Sequence, residues 1–219
     1  MKKRGVKRSL DGGENDKKLS SLTRDYEKRV QGEFKCVVGL DEAGRGPCAG
    51  PVVAAACFIR AGTTIKGVQD SKQTKEEDRE ITFEILTKHP GVFWSVCAIE
   101  HDEIDDINIL QASLKAMKTA CSDLLKSNPS LLKPKETIAL IDGNKLPENM
   151  PVHSTYVIKG DSLVFSIAAA SIIAKVTRDR IMHELDKKYP LVSMCHLRLF
   201  VLSKLFSESL DNFVLISLL

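Results

Sequence analysis

Four acidic side chains stand at positions where a charge is costly unless it is paired or holds a cation. Asp41 and Glu42 follow one apolar run, Asp142 ends a second, and Asp179 lies within a long helical pattern. Each acid taken alone is better explained as a helix cap, a turn residue or a surface charge. A converging set of carboxylates without His or Cys instead favours Mg²⁺ or Mn²⁺. Two such ions can activate a water and stabilise the leaving oxygen of a phosphodiester, so the chemistry indicated is phosphoryl transfer.

Small and polar residues near these acids are suited to contact a sugar or a phosphate. The turn at 44–47 offers backbone N–H groups with little side chain in the way, although an ordinary turn without a ligand has the same sequence. The loops at 70–72 and 159–161 carry a hydroxyl or a cation. On the helix, a lysine and a serine stand one and two turns before Asp179 and form a polar stripe with it. The candidates for substrate contact are Gly44, Arg45, Gly46, Ser71, Lys72, Lys159, Ser171 and Lys175.

The elements that must position these residues follow from the apolar pattern. Runs of β-branched and small apolar residues predict five strands, at 36–41, 50–59, 92–99, 137–141 and 152–158. The first two runs are joined by a Gly- and Pro-rich segment, which favours a hairpin. Helical spacing predicts helices at 76–89, 101–127 and 163–187, and a short one at 22–30. Three strands followed by strands that alternate with helices indicate an α/β fold with a mixed sheet flanked by helices.

Two of the predicted helices carry further detail. In the helix at 76–89 the apolar face is assigned to Ile81, Ile85 and Leu86. The helix at 163–187 contains the run SIAAASIIAK, whose small side chains predict very close packing on a sheet.

Composition bounds the class of protein. The chain has 219 residues, of which 43% are hydrophobic and 28% charged, which suits one domain with a substantial core. No apolar run approaches the roughly 20 residues that cross a bilayer, so we expect no membrane span. Six cysteines without a C-x-x-C pair indicate a reduced, intracellular chain without a zinc site of the usual spacing. No apolar segment of a secretory signal follows the basic N-terminus.

Charge divides the chain into three segments. Residues 1–31 carry ten Lys and Arg against five Asp and Glu, while the remainder carries 22 against 24. We therefore predict a disordered basic arm at 1–31, which is a nuclear import signal, a nucleic-acid tether or simply a solvated tail. A catalytic domain at 32–190 and an apolar tail at 191–219 follow. Organellar presequences are normally poor in acids, and this arm contains several. We therefore expect the nucleus or the cytoplasm rather than an organelle.

Four segments resemble the type 2 ribonucleases H, specifically the bacterial-style ribonuclease HII. They are GLDEAGRGPCAGPVVAAA from Gly39, DSKQ from Asp70, IDGN from Ile141 and KGDSLVFSIAAASIIAKVTRDR from Lys159. They stand in the family's order and extend from about residue 36 to 190. The resemblance implies a ribonuclease H-like fold and a divalent-metal endonuclease, using Mg²⁺ or Mn²⁺, that cuts RNA or single ribonucleotides within a duplex with DNA. It also implies 3′-hydroxyl and 5′-phosphate products, and the removal of primers and misincorporated ribonucleotides in DNA replication and repair.

The resemblance also assigns roles residue by residue. The acids at the first strand end, at the I-D-G strand end and on the K-V-x-R-D helix would be the metal ligands, and the glycine-arginine-glycine loop would contact the ribonucleotide's 2′-hydroxyl, the group that distinguishes RNA from DNA. The family's pattern favours a single-chain enzyme, expected to be a monomer. The assigned ligands are Asp41, Glu42, Asp142 and Asp179, and the loop residues are Gly44, Arg45 and Gly46.

The chain departs from the family after Tyr189-Pro190. The usual Gly- and Tyr-rich segment is replaced by LVSMCHLRLFVLSKLFSESLDNFVLISLL, which has no counterpart of the junction-sensing tyrosine. An altered reading frame or a retained intron explains this, and so does a lineage-specific terminal helix.

Three functions are open on these grounds. The leading hypothesis is an endoribonuclease acting on RNA–DNA hybrids. The second is a poorly active isoform that binds hybrids without efficient turnover. The third is another metal-dependent nuclease of the same fold, such as a resolvase or a transposase-like domain. The glycine-arginine-glycine turn speaks against the third, because an enzyme specific for DNA has no 2′-hydroxyl to sense.

Overall fold

The five predicted strands form one mixed sheet. The computed structural model describes residues 22–47, 49–65, 67–68 and 75–189. The strands are β1 (Cys36–Ala43), β2 (Val52–Ile59), β3 (Val92–Ile99), β4 (Thr137–Asp142) and β5 (His153–Val157). Strands β3, β2 and β1 are antiparallel neighbours, whereas β1, β4 and β5 run parallel, in the order β3-β2-β1-β4-β5. The predicted mixed five-stranded sheet and its first hairpin are confirmed.

Helices cover both faces of this sheet. The helices are α1 (Asp25–Gln31), α2 (Glu76–Lys88), α3 (His101–Ile107), α4 (Ile109–Ser127) and α5 (Phe165–Lys188). Helix α4 packs against β1, β2 and β3 on one face, while α5 and α2 lie on the other face. A smaller apolar cluster joins α1 to β1, β4 and the start of α5.

Helix α5 packs on strand β1 without an intervening side chain. A Cβ atom at Gly39 would overlap the backbone of Ser166 and Ile167 in the first turn of α5. The alanine run of α5 is fully buried above the sheet. The close packing expected from the small residues of this helix is therefore present, and it brings the polar stripe of α5 next to the end of β1.

The helix predicted at 101–127 is in fact two helices that meet at Asn108. This residue has a φ of 67°, a left-handed conformation that asparagine tolerates. Its side-chain Oδ1 accepts hydrogen bonds from the backbone N–H groups of Leu110 and Gln111, at 3.0 and 3.1 Å. Asn108 is thus an N-cap inside an unbroken apolar pattern, and the capping signal overrides the periodicity.

The apolar face assigned to α2 is wrong for two of its three residues. Ile81 and Ile85 are 60% and 43% exposed, and only Leu86 is buried as expected. Thr82 and Phe83 occupy the buried face beside Leu86. The four apolar residues of this mostly charged helix do not fix which face turns inward, and the contact with α5 decides it.

Helix α1 belongs to the folded body, so the basic arm does not extend to residue 31. The Glu27 side chain is 2% exposed, and its Oε1 accepts a hydrogen bond from the backbone N–H of Ser166 at 2.7 Å. Arg24 donates through Nε to Oε2 of Glu27 at 2.6 Å. A carboxylate at the N-terminus of α5 satisfies one of its free N–H groups and interacts favourably with the helix dipole. The short helix expected at 22–30 is present, and it explains why this part of the predicted arm is ordered.

Three predictions fall outside the described residues. They concern the rest of the arm (1–21), the contacts of Ser71 and Lys72, and the apolar tail (191–219). Within the described residues, no helix combines the length and apolar character needed to span a membrane.

Replacing Glu27 tests the contact between α1 and α5. Glu27→Ala is expected to lower the free energy of unfolding by about 1–3 kcal/mol, because it removes a buried, charge-assisted hydrogen bond. Urea unfolding followed by circular dichroism measures this change. Asp25→Ala, on the same helix but exposed, is the matched control and should change stability little. Equal effects of the two substitutions would contradict the capping role of Glu27.

Candidate active site

Strand pairing brings two of the predicted acids together. Strands β1 and β4 are parallel neighbours with Leu40 opposite Ile141. The next residue on each strand, Asp41 and Asp142, therefore lies at the same edge of the sheet. Parallel strands present their carboxyl ends together, so the apolar runs that end in these acids place both side chains at one site.

Asp41 lies on the α5 side of the sheet. It is two residues beyond Gly39 and therefore on the same face of β1. The residue is 4% exposed. Its Oδ1 accepts a hydrogen bond from the Glu42 backbone N–H at 2.8 Å, and the Ser171 hydroxyl is hydrogen-bonded to the same carboxylate. Ser171 of α5 thus holds Asp41 in a fixed orientation.

Glu42 has one paired and one unpaired carboxylate oxygen. Its Oε1 accepts from Nη1 of Arg45 at 3.1 Å. Its Oε2 is buried and has no hydrogen-bond partner among the described residues. A buried carboxylate oxygen without a partner is energetically costly, and a bound cation would satisfy it.

Asp142 is tied to the turn that precedes α5. Its Oδ1 accepts from the backbone N–H of Gly160 at 2.6 Å. A Cβ at Gly160 would lie 2.6 Å from Cδ1 of Ile167 and 3.3 Å from that same oxygen of Asp142. The preceding Lys159 is exposed and has a φ of 55°, so the chain adopts a left-handed conformation where it turns towards Asp142.

The three carboxylates repel one another electrostatically. Burial, followed by the charges of Glu42 and Asp142, raises the pKa of Asp41 well above its usual value. Burial also raises the pKa of Glu42, with Asp142 adding to the effect while Arg45 opposes it. An oxygen-only set of mutually repelling carboxylates suits a hard divalent cation. In the described part of the chain, however, no three His, Cys, Asp or Glu side chains are arranged to hold a metal ion as they stand.

Asp179 is paired with cations rather than with the other acids. Lys175, one turn earlier on α5, binds both of its carboxylate oxygens. Arg79 of α2 approaches Oδ2 through Nη2 at 3.9 Å. Of the predicted stripe, Ser171 contacts Asp41, whereas Lys175 and Asp179 pair with each other. Asp179 joins the metal-binding set only if its ion pair with Lys175 opens.

The glycine loop, which we define as residues 44–47 and 49–51, begins directly after Glu42 and Ala43. Gly44 has a φ of 115°, and a Cβ there would lie 2.6 Å from the carbonyl oxygen of Pro51. At Gly46, no atom of the described residues other than its chain neighbours lies within 4 Å of the Cβ position. The side of the loop at Gly46 is therefore open to an incoming molecule, as the sequence indicates, whereas Gly44 is required by the backbone itself.

Two arginines near the site were not among the sequence candidates. Arg178 is buried between α5 and the glycine loop, where it donates to backbone carbonyls. Arg79 reaches Asp179 from α2. Both arginines lie in charged runs, KVTRDR and EEDRE, whose composition is that of an ordinary exposed helix surface. Only the three-dimensional contacts identify them.

Comparison with known proteins identifies the family. The sequence model of the family described as Ribonuclease HII matches residues 38–194. A Ribonuclease HII of Acetivibrio thermocellus is 46% identical over 168 residues, covering 76% of this chain and 61% of that protein. A Ribonuclease HII of Citrifermentans bemidjiense is 50% identical over 161 residues, covering 73% and 65%. The chain thus spans less than two thirds of the length of these relatives.

Solved structures agree on the fold. The ribonuclease H2 of Pyrococcus horikoshii OT3 has a TM-score of 0.58 and 28% identity, covering 71% of this chain and 78% of that one. Bst-RNase HIII in complex with Mn²⁺ has a TM-score of 0.60 and 20% identity, covering 74% and 57%. The molecule has the ribonuclease H-like fold, and the chain belongs to the ribonuclease HII family. The third hypothesis, a nuclease of another family with this fold, is thereby set aside.

The two glycines of the loop should respond differently to alanine. Gly44→Ala is expected to destabilise the fold by about 2 kcal/mol or more, since it forces alanine into a strained conformation against the Pro51 carbonyl. Gly46→Ala meets open space and should leave the free energy of unfolding nearly unchanged. Thermal unfolding of both variants checks this difference, which disappears if the loop adopts another conformation in solution.

The repulsion among the acids should be visible in the stability of the chelator-treated protein. A raised pKa means that folded Asp41 keeps a proton that the unfolded chain releases above its ordinary pKa of 3.8. Stability should therefore fall as pH rises through the region between the two pKa values, and it should stay lower above the folded one. Asp41→Asn removes this loss and should be more stable than the wild type near neutral pH.

Urea unfolding in EDTA at about pH 5 and about pH 8 measures this dependence. Asp123→Asn, which changes an exposed acid paired with Lys126, is the control and should follow the wild type. A variant at position 41 that is less stable than the wild type at both pH values would mean that the Asp41 charge stabilises the fold.

Proposed function

We propose that the protein is a divalent-metal-dependent endoribonuclease that hydrolyses RNA, or single ribonucleotides, in duplexes with DNA. The observation that carries this proposal is the set of three mutually repelling carboxylates at the ends of β1 and β4, next to an open glycine loop. Family membership supports the same activity. Water would become bonded to phosphorus while the bond to the 3′ oxygen breaks, which leaves a 3′-hydroxyl and a 5′-phosphate.

Asp41, Glu42 and Asp142 would hold the metal ion, and Asp179 would complete the set from α5. The oxygen-only donors and the unpartnered Glu42 oxygen suit Mg²⁺ or Mn²⁺, and Mn²⁺ binding by a protein of the same fold is consistent with this. When bound, such ions supply activation of the attacking water and stabilisation of the leaving oxygen.

The remaining residues would bind and orient the substrate. The backbone of Gly44, Arg45 and Gly46 would approach the 2′-hydroxyl, since in the part of the chain that the structure describes only the adjoining residues lie close to the Cβ position of Gly46. The phosphates would be contacted by exposed Lys159, and by Lys175 once it is released from Asp179. Ser71 and Lys72 would contact them as well. Ser171 would act by orienting Asp41.

A second function is favoured by one observation: in the described structure Lys175 neutralises Asp179, so the four acids are not assembled. A chain that keeps this ion pair would bind hybrids but turn over poorly. A cleavage assay separates the two functions. The substrates are a DNA duplex with one ribonucleotide, a continuous RNA–DNA hybrid and an all-DNA duplex, each with Mg²⁺, Mn²⁺ or EDTA. Metal-dependent cleavage of the first two supports the endoribonuclease, whereas binding without cleavage supports the second function.

Substitution of the acids tests the assigned roles. Asp41→Asn and Asp142→Asn are expected to reduce cleavage by orders of magnitude and to leave hybrid binding largely intact, because metal-held charge stabilises the transition state more than the bound substrate. Single-turnover cleavage and fluorescence anisotropy measure the two effects, with Asp123→Asn as the matched surface control. Near-normal turnover in either variant would remove that residue from the metal site.

A further inference from the structure

Arg178 links helix α5 to the glycine loop. Its side chain is buried, with the residue 7% exposed. Its Nε donates to the carbonyl of Pro51 at 3.0 Å, and its Nη2 donates to the carbonyl of Ala49 at 2.9 Å. A Cβ at Gly44 would lie 2.7 Å from the same Nε. One guanidinium group therefore contacts both the beginning and the end of the glycine loop.

These contacts fix the loop more firmly than an ordinary surface pair would. A charged donor makes stronger hydrogen bonds than a neutral one, and a buried charge that loses its acceptors is costly. The planar guanidinium presents its N–H groups in a fixed fork, so it sets the relative position of the two carbonyls it binds. A lysine ammonium is a point charge and does not reproduce this geometry.

Arg180, two residues further along the same helix, provides the contrast. It pairs with Glu80 and Glu84 of α2, and all three side chains are at least two fifths exposed. Such exposed ion pairs contribute little to stability. Arg180 touches side chains of another helix, whereas Arg178 binds the backbone of the loop itself.

We propose that Arg178 is a positioning residue for ribonucleotide recognition. It holds the glycine loop at a fixed distance from α5, so that the backbone of Gly44 to Gly46 meets the ribose. The selection of ribose over deoxyribose then depends on a side chain that does not itself contact the substrate. This inference rests on the proposed function and specifies how that site distinguishes its substrate.

The experiment compares full-length Arg178→Lys with Arg180→Lys, each combined with Asp142→Asn to prevent cleavage. The probes are a fluorescent DNA duplex with one ribonucleotide and the same duplex made entirely of DNA. Arg178→Lys is expected to reduce the ratio of the two affinities about tenfold, a change of about 1.4 kcal/mol, and Arg180→Lys should leave it unchanged. A merely structural defect lowers the amount of folded protein, which weakens the apparent affinity for both duplexes equally. Its effect therefore cancels in the ratio of the two affinities.

Two further measurements keep the result decisive. Hydrogen exchange of the loop amides should accelerate in Arg178→Lys and not in Arg180→Lys. Gly50→Ala, whose added Cβ would overlap Sδ of Met182, displaces the same loop while Arg178 remains, and it should lower the affinity ratio as well. If Arg178→Lys is folded and keeps the wild-type ratio, Arg178 has no role in recognition.

Failure of the proposed function has a different appearance. In that case the parent variant, which carries Asp142→Asn alone and keeps the native loop, shows no preference for the ribonucleotide duplex. The wild-type protein then also gives no metal-dependent cleavage product. A preference in that parent together with an unchanged ratio in the Arg178 variant overturns only the present inference.

Discussion

The direct contact between Gly39 and the first turn of α5 is the constraint on which the rest of the site depends. Any side chain at Gly39 would overlap the helix backbone and push α5 away from β1. Because side chains alternate along a strand, Asp41 faces the same helix and meets Ser171. Because Gly39 has no side chain, α5 lies directly on β1. This contact sets the distance between the acids of the sheet and the polar stripe of α5.

The folded chain holds this site against an electrostatic penalty. Burial and like charges raise the pKa of Asp41 and of Glu42, so the arrangement of acids is unfavourable in the absence of a cation. The apolar layers on both faces of the sheet supply the stability that offsets it. Glu27 adds a buried hydrogen bond at the N-terminus of α5 and so stabilises that end of the helix. Asp179 lies far from this end, near the C-terminus of the same helix.

The sequence predicts the sheet and the positions of the acids because both depend on local pattern. Apolar runs that stop at Asp41 and Asp142 predict strand ends, and parallel pairing brings such ends together. Contacts between distant segments are not predictable in this way. The contact of Asp179 with Arg79 of α2, the burial of Arg178 and the inward face of α2 each depend on which surface packs against α5. The break at Asn108 is a capping signal that an unbroken apolar periodicity conceals.

Helix α5 unites parts of the site that come from separate segments of the sequence. Ser171 contacts the acid of β1, Arg178 holds the loop that follows β1, and Asp179 faces α2 through Arg79. Adjacent residues on a helix point about 100° apart, since 3.6 residues make one turn, so Arg178 and Asp179 address two different neighbours from one rigid backbone. A shift of α5 along β1 would displace all of these contacts together, and Gly39 at one end and Arg178 towards the other oppose that shift. In the proposed function, recognition of the sugar and assembly of the acids would both require the same position of this helix.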